Sequence, residues 1–230
     1  MIAALGLAEL KLLLRNRTAA SLAIVMPLLM GGYFTLALGD DGWPVAIMLA
    51  LVCVLGFTVY VTTTSSLASR RQTLYLKRLR TGAASDSVVL TGILLPAVLL
   101  ALVQVVLLLA VGLVAGAPLP ARPELLALAV VGGAAMCCAA GVATSGVTST
   151  AELAQITTGP FFFVLVGGGL WALNSTDVRA LLVPGGGMAD LVAAAWGAGG
   201  RPGLAALSLL AWTAVGCALS FRVFRWDART

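Results

Sequence analysis

The sequence predicts an all-α fold, a polytopic membrane protein with six transmembrane helices. Of its 230 residues, 60% are hydrophobic and 10% are charged, and the mean hydropathy is +1.06; in soluble domains about a quarter of residues are charged. Six stretches without charge are each long enough for the roughly 20 residues of one bilayer crossing. These stretches lack the strict alternation of barrel strands, and hydrocarbon admits only helices or closed barrels. Helices are therefore expected throughout.

The predicted spans cover residues 18–39, 44–69, 87–116, 124–150, 154–175 and 203–224, within one transmembrane domain of residues 1–230. Residues 1–17 mix leucines with Glu9, Lys11 and Arg15, which predicts an amphipathic helix lying in the membrane interface. It either anchors the first span or relays motion to it. The first span is longer than a signal-peptide core and its leader contains Glu9, so we expect it to be retained.

The connections opposite the termini are mostly short. Residues 39–44 and 116–123 are rich in Gly, Pro and Asp, which predicts tight turns and leaves no room for a large outer domain. The last connection, 174–201, has a Pro-Gly-Gly-Gly break at 184–187. We expect a pair of re-entrant or surface half-helices here that cap a cavity, since such backbone needs cover at membrane depth.

Basic residues predict the orientation, because Lys and Arg in short loops stay on the cytoplasmic side. With six crossings, both termini share a side with residues 70–80. That side carries eleven Lys and Arg residues, against three on the other, Arg122, Arg179 and Arg201. We therefore expect a multi-pass protein of the plasma (inner) membrane with both termini in the cytoplasm.

Small residues predict close helix packing. Gly112 and Gly116 form a GxxxG pattern, and the fourth span has a small-residue face with Gly132, Gly133 and Gly141. Whether these faces join neighbouring helices or subunits stays open, with internal packing favoured.

Catalytic and ion-coupling chemistry is poorly supported. Proton or sodium relays use acidic or His side chains inside spans, but the chain has no His and its acidic residues lie at span ends or in connections. No GxxxxGK[ST], HExxH or GxSxG motif occurs, and the four cysteines fit apolar packing. We expect no catalytic residue, metal or cofactor in this chain and no nucleic-acid partner. Energy for uphill movement would come from another polypeptide.

Residues 70–80, RRQTLYLKRLR, hold five of the fourteen basic residues. On a helix, Arg70, Lys77 and Arg78 can be exposed while the leucines offer apolar contacts for a partner's groove. The same charges could instead set the topology and bind anionic membrane lipid, at about 1 kcal/mol each. Both interpretations remain open on charge alone.

Residues 66–82, SLASRRQTLYLKRLRTG, resemble the coupling segment of type-2 ATP-binding-cassette (ABC-2) exporter permeases, and LKRLRTG is the most specific part. The resemblance continues at Asp86, Gly92, Pro96 and Gln104, then at Ala154, Gln155 and Pro160, and at Gly167–Gly169, Pro184, Met188 and Leu191. The family often has an acidic residue where Gln72 stands and a Pro near Gly82.

The resemblance implies a permease subunit that dimerises with a second copy or a paralogue. A separate cytoplasmic ABC ATPase, which binds ATP and Mg²⁺, would drive export of a hydrophobic or amphipathic substrate such as a drug, lipid or peptide. The implied ATPase-coupling residues are Arg70, Arg71, Gln72, Leu74, Leu76, Lys77, Arg78, Leu79 and Arg80. The implied substrate path comprises Met26, Phe34, Gln104, Phe161, Phe162 and Phe163. An ATP-independent channel or carrier, and a membrane scaffold or intramembrane enzyme, remain as alternatives.

Overall fold

The computed structural model describes residue 6 and residues 11–13, 15–73 and 86–224. Its α-helices are Arg17–Ala20, Met26–Cys53, Thr62–Gln72, Asp86–Val114, Pro123–Val147, Ala151–Thr157, Gly159–Asn174, Gly186–Ala195 and Pro202–Val223. Two π-helices, Ser21–Val25 and Val54–Val61, and a 3-10 helix, Val178–Leu182, complete the described elements. These ranges contain no strand, so the predicted all-α class is confirmed.

Six helical segments in the described ranges are long and apolar enough to cross a membrane, as predicted. In chain order, spans 1 to 6 are Ser21–Leu38, Gly42–Gln72, Val88–Val114, Pro123–Val147, Ala151–Asn174 and Pro202–Val223. Span 2 has 31 residues, which at 1.5 Å per residue gives a length of about 46 Å. The hydrocarbon layer is about 30 Å thick, so span 2 extends beyond it.

The junction between spans 1 and 2 is a tight turn, as the sequence predicted. Two helices meet at Gly42, whose φ of −176° and ψ of 68° are non-helical within the range Met26–Cys53. Pro44 follows two residues later, in the first turn of span 2, where its missing N–H costs least. The expected turn at 39–44 is therefore short and centred on Gly42.

Span 2 lies at the centre of the bundle. In its most apolar window 83% of the residues are buried, against 17% to 50% in the other five spans. It packs against spans 1, 3, 4 and 5. The other spans therefore supply most of the apolar surface that faces lipid or a partner subunit.

The small-residue face of span 4 packs inside the subunit. A Cβ at Gly132 would meet Leu209 of span 6 at 2.8 Å, and one at Gly141 would meet Thr63 of span 2 at the same distance. Because these backbones approach so closely, a side chain at either position would force a shift. Internal packing is thus confirmed for this face.

Gly116, by contrast, is not a packing residue, and the GxxxG prediction is wrong there. With φ +98° it ends span 3 in the left-handed region, and nothing described lies within 4 Å of a Cβ built on it. Its N–H donates to Leu113 at 3.1 Å, and the Ala117 N–H donates to Gly112 at 2.8 Å. This is a Schellman cap, which satisfies the last carbonyls of the helix.

Two short helices fill the connection between spans 5 and 6, the 3-10 helix Val178–Leu182 and the helix Gly186–Ala195, called here the outer helix. The outer helix is almost wholly buried and contacts spans 2, 4, 5 and 6. Gly185 precedes it with φ +91°, and a Cβ there would overlap the carbonyl oxygen of Leu165. Only glycine fits both this backbone conformation and this approach.

The bundle has two distinct ends. Arg15, Arg70 and Glu152 lie around one cavity, and this end is called the basic end. At the opposite end Trp196 Nε1 donates to the carbonyl oxygen of Pro118 at 2.8 Å, which ties the connection after span 3 to the outer helix. This placement agrees with six crossings and with termini on one side.

Candidate coupling site and substrate cavity

Residues 70–80 are called here the basic segment. Arg71, its second arginine, lies inside the protein. Its side chain is 1% exposed, and Nη2 donates to the carbonyl oxygen of Ser145 at 2.7 Å and to that of Thr148. Span 4 ends at Val147, and the last carbonyls of a helix lack intrahelical donors. A cation there also interacts favourably with the helix dipole. Arg71 of span 2 therefore caps span 4.

The same face of span 2 makes two further contacts with span 4. Thr64 Oγ1 donates to the carbonyl oxygen of Gly141 at 3.2 Å, and the Tyr60 hydroxyl lies 3.1 Å from Thr144 Oγ1. Positions 60, 64 and 71 share one helix face, because eleven residues make about three turns. The final turns of span 2 are thus fastened to span 4 along their length.

These contacts continue into span 5. The Thr148 hydroxyl lies 2.8 Å from the hydroxyl of Thr157, and Thr150 caps the first turn of span 5 by accepting from the Leu153 N–H at 3.1 Å. The set Arg71, Ser145, Thr148 and Thr157 is called here the Arg71 clamp. It joins the ends of spans 2 and 4 to the start of span 5.

A second face of span 2 lines a cavity of about 820 Å³ at the basic end, called here the basic-end cavity. Five hydroxyl residues face it: Thr62, Ser65, Ser66 and Ser69 of span 2, and Thr73 directly after its end. The rest of the wall comes from the leader, from span 3 and from the start of span 5, including Arg15, Asn16, Ile93, Leu100, Glu152 and Gln155. The cavity is therefore polar on span 2 and mixed elsewhere.

The structure separates the coupling residues suggested by the sequence. Arg70 lines the basic-end cavity, Arg71 is buried in the clamp, and Gln72 is exposed. The other six, Leu74, Leu76, Lys77, Arg78, Leu79 and Arg80, lie outside the described residues. Sequence reasoning placed Arg71 with the docking charges because its partners are 74 and 77 residues away along the chain.

Gln104, suggested as a polar contact on the substrate path, is 1% exposed and joins three spans. Its Nε2 donates to the carbonyl oxygen of Ala23 at 2.9 Å, and its Oε1 lies 2.6 Å from Thr58 Oγ1. The residue four positions after Ala23 is Pro27, which has no N–H to offer that carbonyl. In hydrocarbon such a group needs another partner. Gln104 supplies one, and Thr58 Oγ1, 2.8 Å from the same carbonyl oxygen, supplies another.

The three consecutive phenylalanines point in different directions. The Phe161 ring packs on Tyr60 with centroids 4.9 Å apart, and the Phe162 ring packs on Phe57 at 4.8 Å. Gly56 leaves the space for Phe162, because a Cβ there would come within 2.5 Å of it. Phe163 is 74% exposed. Spans 2 and 5 are therefore joined by two aromatic pairs.

The suggested path residues do not converge on one cavity. Met26 is 38% exposed on the surface of span 1, and Phe34 packs partly buried against the core. None of the six suggested path residues is among the described residues that line the basic-end cavity, or among those that line a second cavity at the opposite end.

The second cavity, of about 830 Å³, lies at the opposite end beside the outer helix. Asp190 of the outer helix accepts from the Arg201 N–H at 2.5 Å, and Arg201 Nη2 donates to the carbonyl oxygen of Thr176 at 3.1 Å. These contacts fix the wall between spans 5 and 6. Within the described ranges no group of three or more His, Cys, Asp or Glu side chains could hold a metal ion.

Comparison with protein families matches residues 2–180 to the family described as ABC-2 type transporter. The match runs from the leader past the end of span 5 and includes the whole basic segment. Searches of curated proteins and of solved structures found no match.

Proposed function

Because the chain belongs to the ABC-2 type transporter family and is a membrane-spanning permease, we propose that it is the permease subunit of an ATP-driven exporter. It would move a hydrophobic or amphipathic substrate out of the cytoplasm. A partner ABC ATPase subunit would bind ATP and Mg²⁺ and supply the work. Under this proposal the basic end faces the cytoplasm, and the excess of basic residues there supports this orientation.

The Arg71 clamp is the observation that carries the proposal. The helix that ends at Gln72 leads directly into the basic segment, and its last turns are fastened to span 4 by Arg71. A push on that segment would therefore reach spans 4 and 5 through direct contacts, as energetic coupling between distant sites requires. If the segment were a loosely attached loop, a displacement by the ATPase would move the loop alone and would not move spans 4 and 5.

The docking surface for the ATPase would begin after Arg71. Since the Arg71 guanidinium is committed to span 4, we assign the contact with the ATPase to Lys77, Arg78 and Arg80, with Leu74, Leu76 and Leu79 as the apolar part. Such a mixture suits insertion into a groove.

The two cavities would be the two ends of the substrate path. Residues 46–60 of span 2 are absent from the described lining of both cavities, so this part of span 2 lies between them. Here the Thr58–Gln104 contact and the Phe57–Phe162 pair join span 2 to spans 3 and 5, and we propose that they keep the path closed. Export would require these contacts to rearrange when the clamp moves.

Dimerisation with a second copy or a paralogue would use spans 1 and 5. Only 22% of the apolar window of each is buried, against 17% in span 6, so exposure alone does not select them. Gly32 of span 1 and Gly167 of span 5 have nothing described within 4 Å of a built Cβ, while Tyr33 and Phe163 are 66% and 74% exposed. Small residues beside large exposed ones suit close helix packing between subunits.

The test is copurification of the ATPase with the tagged chain from its native host, with the ATPase identified by its phosphate-loop and signature motifs. The double variant Lys77→Glu, Arg78→Glu should lose the ATPase, while Arg122→Glu, at the opposite end, should retain it. An unchanged complex in the double variant would contradict the assigned dock. Solute flux across vesicles that contain the chain and no ATPase would favour a channel or carrier.

A further inference from the structure

The hydroxyl face of span 2 is unusual for a membrane helix. Thr62, Ser65, Ser66, Ser69 and Thr73 fall within an arc of about 100°, and all five line the basic-end cavity. Thr62, Ser65 and Thr73 donate to backbone carbonyls of their own helix. The side-chain hydroxyls of Ser66 and Ser69, both partly buried, form no hydrogen bond to another described residue. Two hydroxyl donors thus face the cavity.

The charged groups around the cavity favour an anion. Among its described lining residues are two cations, Arg15 and Arg70, and one carboxylate, Glu152, which leaves one net positive charge. A guanidinium matches the geometry of a phosphate with paired N–H donors. Ser66 and Ser69 line the same cavity, and their hydroxyls can serve as further, neutral donors to a phosphate.

The remaining wall suits a flexible apolar chain. Leu22 of span 1 and Ile93 and Leu100 of span 3 also line the cavity. No Phe, Tyr or Trp occurs among the described lining residues, so the described wall offers no flat surface on which an aromatic drug or a sugar ring could stack. An acyl chain needs no such surface.

We infer that the basic-end cavity binds the phosphate-bearing headgroup of a membrane amphiphile, with its acyl chain along the apolar wall. Arg70 and Arg15 hold the phosphate, and Ser66 and Ser69 donate hydrogen bonds to it. The inference names the amphiphile that would enter the proposed export path, and in that respect it rests on the proposed function. Binding is measured on the purified chain without an ATPase, so a failure of binding and a failure of transport are separate results.

The experiment is native mass spectrometry of the full chain in mild detergent with three probes. Phosphatidylglycerol, a diacylglycerol with the same acyl chains, and glycerol 3-phosphate separate the contributions of the headgroup and the chain. We expect phosphatidylglycerol to bind at least about tenfold more tightly than diacylglycerol, as the loss of one charge-assisted hydrogen bond implies. We expect the same minimum difference from glycerol 3-phosphate, which has no acyl chain to bury against the apolar wall. Equal binding of diacylglycerol would overturn the inference, and so would glycerol 3-phosphate binding as tightly as the lipid.

Variants locate the site. The triple variant Ser66→Ala, Ser69→Ala, Arg70→Gln should lower the affinity for phosphatidylglycerol by about tenfold or more. The control Arg122→Gln removes a charge at the opposite end and should bind as the native chain does. Ser69→Phe keeps both cations but fills the cavity, and it should also lose binding. Native affinity in both cavity variants would show that the lipid binds elsewhere.

Discussion

Nη2 of Arg71 lies 2.7 Å from the carbonyl oxygen of Ser145, and this bond joins the helix that enters the basic segment to the end of span 4. The same nitrogen also reaches Thr148, whose hydroxyl continues the contact to Thr157. One side chain thus holds together the ends of three spans. Its charge was the reason to expect it at a docking surface, and its burial gives it an internal role.

Replacing Arg71 with Met should destabilise the folded protein by about 2–4 kcal/mol, because two buried carbonyl groups lose a charged donor and the helix end loses a favourable cation. Gln72→Met is the matched control: it changes the adjacent, exposed residue and should stay within about 0.5 kcal/mol of the native protein. Equilibrium unfolding in detergent measures both. Equal stability of the two variants would mean that the clamp contributes nothing to the fold.

The Gln104–Ala23 contact allows a rescue experiment. Gln104→Leu should cost about 0.6–1.7 kcal/mol, the range measured for hydrogen bonds between membrane helices. Thr58 Oγ1 also donates to the Ala23 carbonyl, so the cycle is run in a Thr58→Val background. Pro27→Ala supplies the missing N–H four residues after Ala23, so Gln104→Leu should cost less when Pro27→Ala is present. A double-mutant cycle followed by unfolding in detergent gives the coupling energy. Additive effects would show that Pro27 is not the reason for the contact.

Gly185 should tolerate no side chain. Alanine there meets both a left-handed backbone conformation and the carbonyl oxygen of Leu165, and we expect a loss above about 3 kcal/mol. Gly197 separates the two effects, since its φ is +73° but nothing described lies within 4 Å of its Cβ. Gly197→Ala should cost only about 1–2 kcal/mol. The yield of monodisperse protein and the unfolding temperature measure both variants. A larger loss for Gly197→Ala than for Gly185→Ala would contradict the prediction.

The six spans could be predicted from sequence because the hydrocarbon layer sets the length of each apolar run. The central position of span 2 could not be predicted in this way. Hydropathy measures the transfer of a side chain into an apolar medium, and it does not show whether that medium is lipid or the protein interior. One signal was present. The run Thr62–Ser66, five consecutive hydroxyl residues in an apolar span, is costly against lipid and indicated an interior position.

The candidate site was predicted only in part. Gln104 was recognised as a polar residue within a span, but its partners Thr58 and Ala23 are 46 and 81 residues away, so sequence spacing carried no information about them. The relation between Pro27 and Ala23 was a usable signal, since a proline inside a membrane helix always frees a carbonyl four residues earlier. The sequence held no comparable signal for Arg71. Its partners are backbone carbonyl groups, which every residue has, so no residue type marks them.

The proposed dimer interface gives a test that uses the chain's own cysteines. Cys217 on span 6 is exposed, whereas Cys53 and Cys137 are buried. In a symmetric dimer a residue near the twofold axis meets its own copy, and a disulfide needs Cα atoms within about 7 Å. If span 5 lies at that axis, Gly167→Cys should give a covalent dimer in oxidised membranes, while the native chain, with Cys217 facing lipid, should stay monomeric on denaturing gels. Cross-linking through Cys217 alone would instead place the interface on span 6.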